Sequence, residues 1–193
     1  IEETQSHLDT GASYTVGYKY NDAGQLSELV YPDGMRIAYS RDELGRIASV
    51  GAAGAQPLAR YEYDAMGQCI AKPYANDVLS LSEYDAVGQL TAKRVRGNAG
   101  LIASESHRYD AVGNRIETRE KVSDRASKYR YDAVNQLVGS QVGGDQGLQS
   151  TGYEYDAAGN RESVSEEGKT LSYSANELNQ YTQIEGVSAS GVP

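Results

Sequence analysis

Short stretches in which tyrosine alternates with polar residues recur along most of the chain. At 61–63, 129–131 and 153–155 the sequence is Tyr-x-Tyr, and the residue between the two rings is charged. A period of two places both rings on one face of a β-strand and the charged residue on the other. No segment of ten or more residues shows the period of an amphipathic helix. The pattern therefore predicts an all-β protein.

A four-residue motif close to Asp-Ala-x-Gly follows each alternating stretch. The Asp side chain can accept backbone N–H groups within a turn, and Gly adopts the left-handed conformation that closes a type I turn into a hairpin. Where Asn135 replaces Gly, the substitute is the next most tolerant residue for a positive φ angle. The predicted turn residues are Asn21, Gly24, Asp42, Gly45, Asp64, Gly67, Asp85, Gly88, Asp110, Gly113, Asp132, Asn135, Asp156 and Gly159.

The turns recur about every 22 residues, which indicates a repeat protein. An eighth unit aligns on Ser174 with Glu177 in the place of Gly, and we expect its turn to differ or fray. Each unit should form two antiparallel strands, with uniform tight turns at one sheet edge and variable loops at the other. About eight units over 14–187 make one array across 1–193. Accumulated twist should make so wide a sheet curved or coiled.

The aromatic composition changes the expected interior, because the chain has Tyr 16, Phe 0 and Trp 0. A tyrosine ring packs against apolar groups, while its hydroxyl requires a hydrogen-bond partner. The interior should therefore be amphipathic rather than purely apolar. The tyrosine rows should stack across strands and hold the sheet together. The alternative is that they contact carbohydrate through their ring faces. The rows are Tyr18, Tyr20, Tyr61, Tyr63, Tyr84, Tyr109, Tyr129, Tyr131, Tyr153 and Tyr155.

The net charge of −9 and the pI of about 4.7 argue against nucleic acid as a partner. No apolar run approaches the roughly 20 residues of a membrane span, so we expect no membrane insertion. The chain opens on Ile1 without a signal peptide, and we expect it to be a piece of a longer polypeptide or a processed one.

The residue pattern gives little support for a catalytic function. The repeated aspartates would lie about 10 Å apart, close to the separation of the two catalytic carboxylates in some glycosidases. A catalytic acid and a catalytic base need different environments, however, and here every aspartate has the same sequence environment. Cys69 occupies a place that aliphatic residues hold in sister units, and His107 occupies the place of Tyr61. Both therefore look like packing residues, rather than a Cys–His pair with His107 or His7. We predict no catalytic residue, no cofactor and no metal site.

The repeated Tyr-x-Tyr-Asp-Ala-x-Gly-Asn/Gln motif, together with the phrase YSANELNQYTQIEGV at 173–187, resembles the YD-repeat or Rhs (rearrangement hotspot) family. That family includes bacterial Rhs and wall-associated proteins and the YD shell of animal teneurins. The resemblance implies a long β-sheet that spirals into a hollow shell. In bacterial relatives the shell encloses a C-terminal toxin domain, and in teneurins it belongs to an adhesion ectodomain. YD repeats have also been associated with carbohydrate binding.

The resemblance implies a structural shell segment, secreted or at the cell surface, that encloses or presents a C-terminal, toxin-like cargo and has no enzymatic activity. The expected partner is the remainder of its own polypeptide, and uncapped terminal strands could also pair edge to edge with another copy. One alternative is a carbohydrate-binding adhesion module, and a more remote one is a glycoside-active enzyme. The Asp-Pro motif linked to shell closure and self-cleavage does not occur in this sequence.

Overall fold

The computed structural model describes residues 2–6, 13–144 and 147–187, and every regular element in these ranges is a β-strand. This confirms the all-β prediction. The strands are β1 (Glu2–Ser6), β2 (Ser13–Tyr20), β3 (Leu26–Val30), β4 (Arg36–Arg41), β5 (Ile47–Ala52), β6 (Ala59–Arg60), β7 (Glu62–Tyr63), β8 (Cys69–Pro73), β9 (Leu79–Tyr84), β10 (Leu90–Gly97), β11 (Gly100–Tyr109), β12 (Arg115–Glu120), β13 (Arg125–Tyr131), β14 (Leu137–Gly144), β15 (Gly147–Tyr155), β16 (Arg161–Glu166), β17 (Lys169–Ala175) and β18 (Tyr181–Val187).

The strands belong to two compact units, which we call unit 1 (Ile1–Glu83 with Arg94–Ile102) and unit 2 (Tyr84–Lys93 with Ala103–Pro193). In unit 1, β1 to β6 form a six-stranded antiparallel sheet in chain order, and β7, β8 and β9 pair in the same way. In unit 2, β11 to β18 also pair antiparallel in chain order. Hairpins that follow one another along the chain therefore build both units. A single curved array over 1–193 stays a prediction.

A β-bulge precedes the tight turns, at the residue where the second tyrosine of the motif stands. Between Glu62 and Tyr63, for example, the register shifts, so that Glu62 faces Ala71 and Tyr63 faces Cys69. A type I turn followed by a residue with positive φ produces this kind of offset in a hairpin. The same shift occurs at Lys19/Tyr20, Ser40/Arg41, Arg108/Tyr109, Arg130/Tyr131, Glu154/Tyr155 and Ser174/Ala175.

In the last repeat the predicted alignment on Ser174 and Glu177 is wrong, because the turn starts two residues later, at Asn176. The N–H of Asn176 donates to the carbonyl of Gln180, and that of Asn179 donates to the carbonyl of Asn176, both at 2.9 Å. Asn179 has a φ of 58° and takes the place of Gly. Because Asn can both accept backbone N–H groups and adopt positive φ, this turn is regular rather than frayed.

At the opposite sheet edge, two of the connections share one kind of turn. At Tyr31 the N–H donates to the carbonyl of Met35 at 2.8 Å, and the N–H of Gly34 donates to the carbonyl of Tyr31 at 2.9 Å. The segment from Tyr74 to Val78 repeats this pair of bonds. Two connections at this edge therefore use the same turn, with a tyrosine instead of Asp at its first position.

The interior is thin and polar. Among the residues with described burial, the buried hydrophobic ones are three alanines, Ala59, Ala71 and Ala92. Buried polar residues accompany them: Ser80, His107, Glu117, Thr118, Ser127 and Ser163. The larger aliphatic and tyrosine side chains are half-buried or exposed. This confirms the amphipathic interior that the composition predicts.

Candidate functional site

Each tight turn is closed by its first side chain. The Asp64 Oδ1 accepts the N–H groups of Met66 and Gln68, both at 2.9 Å, and the N–H of Gly67 donates to the Asp64 carbonyl at 3.1 Å. Gly67 has a φ of 83°. The carboxylate thus satisfies two backbone donors that the tight turn leaves without carbonyl partners. The same pair of bonds is made by Asn21, Asp42, Asp85, Asp110, Asp132, Asp156 and Asn176.

The titration of Asp42, Asp110 and Asp156 does not suit a glycosidase. Hydrogen bonds from Asn160 and from the turn backbone lower the pKa of Asp156. At Asp42 and Asp110 burial acts in the opposite direction, but hydrogen bonds from Arg46 and Asn114 outweigh it, so that both pKa values are also lowered. A general acid needs a raised pKa and a free carboxyl group. The geometry therefore favours the structural role of these carboxylates.

Neighbouring turns are joined through the amide residue that follows the Gly position. Sequence reasoning missed these contacts, although Gln or Asn after most of the turn glycines was a visible signal. Three of these amides donate to the turn of the following repeat, either to its backbone or to its Asn side chain. The bonds are Gln25 Nε2 to the Gly45 carbonyl at 3.3 Å, Asn114 Nδ2 to Asn135 Oδ1 at 2.9 Å and Asn160 Nδ2 to Asn179 Oδ1 at 3.0 Å.

The second tyrosine of the motif caps a carbonyl of the preceding repeat. The Tyr63 hydroxyl donates to the carbonyl of Ile47 at 2.8 Å. Ile47 begins β5, so the hydroxyl satisfies a carbonyl at a strand end. Arg41, which replaces the tyrosine in its unit, donates to the carbonyl of Leu26 at 3.2 Å. Equivalent bonds join Tyr109 to Leu90, Tyr131 to Arg115 and Tyr155 to Leu137, at 2.9 to 3.0 Å.

The predicted stacking of tyrosine rings on one another needs correction. Within the described ranges, the ring pair is Tyr173 with Tyr181, whose centroids are 5.5 Å apart. Cations pack on the rings instead, because a guanidinium or ammonium is attracted to the ring face. These contacts are Arg46 on Tyr63 at 4.3 Å, Lys72 on Tyr61 at 5.4 Å, Arg115 on Tyr129 at 5.5 Å and Arg161 on Tyr153 at 5.8 Å.

Burial and bonding differ along the tyrosine rows. Of their members, Tyr20 is exposed, whereas Tyr18, Tyr61, Tyr63, Tyr84, Tyr109, Tyr129, Tyr131, Tyr153 and Tyr155 are half-buried. Carbonyl caps occupy the hydroxyls of Tyr63, Tyr109, Tyr131 and Tyr155, and cations lie over the rings of Tyr61, Tyr129 and Tyr153. In these seven tyrosines the hydroxyl or a ring face is engaged within the protein, and carbohydrate contact by the rows stays a prediction.

Two glutamates on the strand face opposite the tyrosines, Glu28 and Glu117, each lie between two cations. Glu28 is 2.7 Å from both Lys19 Nζ and Arg36 Nη2. Hydrogen bonds from Arg36 and then from Lys19 lower the pKa of Glu28 to about 2. In unit 2 the buried Glu117 accepts from Arg119 at 2.7 Å and from Arg108 at 3.0 Å, which lowers its pKa as well. Both clusters bridge neighbouring strands on the face opposite the tyrosines.

We expect the melting temperature to fall as the pH drops from about 4.5 to about 2. A carboxylate with a depressed folded pKa stabilises the fold fully above its unfolded pKa, and this contribution disappears as the pH falls through the folded pKa. For Glu28 that interval lies between its ordinary value of 4.5 and about 2. Glu28→Gln should make the decline shallower in a series of thermal melts across this interval.

The control for this pH series is Glu62→Gln, because Glu62 is exposed and has no ion pair within the described part of the chain. It should leave the slope of melting temperature against pH close to that of the wild type. A Glu28→Gln protein with the wild-type slope would contradict the stabilising role of the Glu28 cluster.

The remaining candidates lie in packing positions. Cys69 is half-buried, and its thiol donates to the carbonyl of Ala71 at 3.6 Å. His107 is buried, its Nδ1 lies 3.1 Å from Thr118 Oγ1, and burial lowers its pKa. His7 lies outside the described residues. Within residues 2–6, 13–144 and 147–187 there is no group of three His, Cys, Asp or Glu side chains that could hold a metal. Over the same ranges, no helix has the length and apolar character to cross a membrane.

Two family models match the sequence. The teneurin YD-shell model matches residues 53–189, and the RHS repeat model matches residues 20–57. The first match covers more than half of the chain. No curated protein matches the sequence.

Solved toxin complexes have a similar fold. The TcdB2-TccC3 crystal structure without its hypervariable C-terminal region has a TM-score of 0.75 at 19% identity, over 89% of this chain and 10% of that one. A mutant Tc holotoxin pore of Photorhabdus luminescens has a TM-score of 0.73 at 18% identity, over 88% of this chain and 10% of that one. The chain thus spans about a tenth of the length of these structures.

Proposed function

The chain belongs to the teneurin YD-shell family, and from this premise we propose that it is a structural segment of a β-shell that encloses or presents a C-terminal, toxin-like cargo. The observation that carries the proposal is repetition of the turn geometry. Eight turns in the described ranges use the same side-chain bonds, whereas a catalytic site is built once from residues in unlike environments.

Three kinds of contact join neighbouring repeats. Strands pair through their backbones, hydroxyls such as that of Tyr131 cap strand-end carbonyls, and amides such as that of Asn114 join adjacent turns. Since such contacts recur within both compact units, an array of these repeats can extend without a separate hydrophobic core. This property suits the wall of a large hollow protein.

The strand face opposite the tyrosines suits a wall that surrounds a cargo without binding it tightly. Glu28 and Glu117 each bind two cations of the wall itself, so their charges are satisfied internally. A surface whose ion pairs are complete gains little by binding a cargo through them. The solved structures with this fold are TcdB2-TccC3 and Tc holotoxin complexes, which supports a toxin-like cargo and an extracellular location. We assign the chain no catalytic activity.

Protease protection in the parent polypeptide tests the proposal. A cleavage sequence placed in the domain that follows the repeats should resist protease in the native protein and be cut after denaturation. As a control, the same sequence placed at the exposed Glu167–Gly168 turn of this chain should be cut in both states. Equal cutting at the two positions in the native protein would overturn the enclosing role.

A carbohydrate-binding adhesion module is the alternative, and the exposed ring of Tyr20 is the observation in its favour. Titration with a glycan panel, followed by tyrosine fluorescence, distinguishes it from a shell wall. A saturable change that Tyr20→Ala abolishes would support the module. Absence of any change supports the wall, and a polysaccharide panel without sugar release would argue against a glycoside-active enzyme.

A further inference from the structure

A groove of about 520 Å³ crosses unit 2 from β13 to the turn that follows β16. Gly139 of β14 and Gly152 of β15 line its middle and lie directly opposite each other in the strand register. Because neither residue has a side chain, the sheet surface is open there to the depth of a side chain. We call this depression the glycine groove. The function proposed above does not use it.

An arginine lies over the floor of the glycine groove. Arg130 of β13 is directly opposite Gly139 in the register. A Cβ at position 139 would stand 2.9 Å from Arg130 Nη2 and 3.2 Å from Arg130 Nε, so the guanidinium extends across the glycine. A guanidinium in this position can bind a carboxylate through two parallel hydrogen bonds.

A second cation lines the same end of the groove. Lys128 is two residues from Arg130, and alternation along β13 places both on the same strand face. The residue opposite Lys128 in β12 is Glu117, whose oxygens already bind Arg119 and Arg108. Neither Lys128 nor Arg130 forms an ion pair with a described residue. This end of the groove therefore attracts an anionic group.

The other end of the groove has the opposite charge. Glu167, in the turn between β16 and β17, lines this end and is exposed. It has no ion pair to any residue that the structure describes. Three strand spacings separate β13 from β16, which corresponds to about 14 Å. An occupant that matches both ends must therefore have a negative and a positive group separated by about this distance.

The groove has hydrogen-bonding side chains between its charged ends. Ser165 lies opposite Gly152 in the register, and Gln141 lies opposite Ser150. Hydroxyl and amide groups both donate and accept hydrogen bonds, as the N–H and carbonyl groups of a peptide backbone require. An extended chain rises about 3.4 Å per residue, so about 14 Å corresponds to four residues. A short extended peptide thus matches the groove in length and in chemistry.

We propose that the glycine groove binds an extended peptide segment in which three residues separate an acidic residue from a basic one. The acidic side chain binds Arg130 and Lys128, the basic side chain binds Glu167, and the backbone between them lies over Gly139 and Gly152. Other ligands match less of the groove. A phosphate ion fills only the cationic end, a nucleic acid is anionic along its length, and an uncharged sugar leaves both charged ends unmatched.

Titration of the isotope-labelled chain with a five-residue peptide, followed by amide NMR shifts, tests the proposal. The peptide Asp-Thr-Ser-Thr-Lys, blocked at both termini, and its reversed sequence cover both chain directions. We expect at least one of them to shift the amides of Gly139 and Gly152 and to saturate with a dissociation constant of about 0.1–1 mM, since exposed ion pairs are individually weak. The isomer Thr-Asp-Lys-Ser-Thr, whose charges are adjacent, should bind about fivefold more weakly or less.

Variants of the chain separate the groove from general charge effects. Arg130→Gln should weaken binding about fivefold or more. Arg125→Gln, at an exposed cation of the same strand that does not line the groove, should leave the affinity unchanged. Gly152→Val should abolish binding by filling the floor. The added Cβ would meet Ser165 Cβ at 3.9 Å, an ordinary contact, so the fold should accept it, and circular-dichroism melts establish that each variant is folded.

Three results would overturn the proposal: no saturation by either peptide below about 5 mM, equal affinity for the isomer with adjacent charges, or equal binding by wild type and Arg130→Gln. Inorganic phosphate is the final probe. It should bind more weakly than the peptide, because it reaches only the cationic end. Equal affinity would show that the groove holds an oxyanion alone, and the peptide would then be the wrong ligand.

Discussion

Gly51→Ala should lower the free energy of unfolding by about 2–3 kcal/mol. Gly51 is buried in β5, and the connection that follows this strand lies directly against it. An added Cβ would stand 2.8 Å from both the backbone nitrogen of Leu58 and the Cα of Pro57. Backbone atoms cannot swing away as a side chain can, so the whole connection must shift. Equilibrium urea unfolding of the two proteins measures the difference.

The matched control is Gly17→Ala in β2 of the same unit. Its added Cβ would meet the Val30 side chain at 3.4 Å, which is an ordinary contact. Alanine also loses less conformational freedom on folding than glycine does, so we expect a change within about 0.5 kcal/mol of zero. Equal destabilisation by the two substitutions would show that the close approach at Gly51 is not the cause.

The sequence predicts the strands and turns of this protein well because their chemistry is local. The side chain of Asp64 and the φ angle of Gly67 act within five residues, so the motif itself reveals the hairpin. Because the prediction depended on the residue types of the motif, it placed the last turn at Ser174 instead of Asn176. There Asn176 and Asn179 perform both tasks without the tyrosine and glycine on which the alignment relied.

Contacts between repeats were not predictable from the motif. The bond from the Tyr63 hydroxyl to the Ile47 carbonyl depends on the bulge and on the register between strands, and neither is visible in the sequence. The equivalence of Arg41 to a tyrosine becomes apparent only when both side chains are seen to donate to strand-end carbonyls. The close approach at Gly51 likewise follows from the path of a loop.

Gly67→Val should lower the free energy of unfolding by about 1–3 kcal/mol. Gly67 has a φ of 83°, which a β-branched residue adopts only with strain. Steric contact adds little, since an added Cβ would meet Arg46 Nη1 at 3.5 Å. The cost thus arises from the backbone conformation that lets the turn close. The midpoint of urea unfolding, with an unchanged slope, is the measurement.

Two control variants separate backbone strain from other effects at this turn. Gly67→Asn should cost less than half as much as Gly67→Val, because Asn135 and Asn179 hold φ angles of 66° and 58° in equivalent turns. Met66→Val places a β-branched residue one position earlier, where the turns at Val112 and Val134 already have one, and should be close to neutral. If Asn and Val at position 67 destabilise equally, positive φ is not the constraint. The loss would then be assigned to the hydrogen bond from the N–H of residue 67 to the Asp64 carbonyl, which is 3.1 Å long in the wild-type turn.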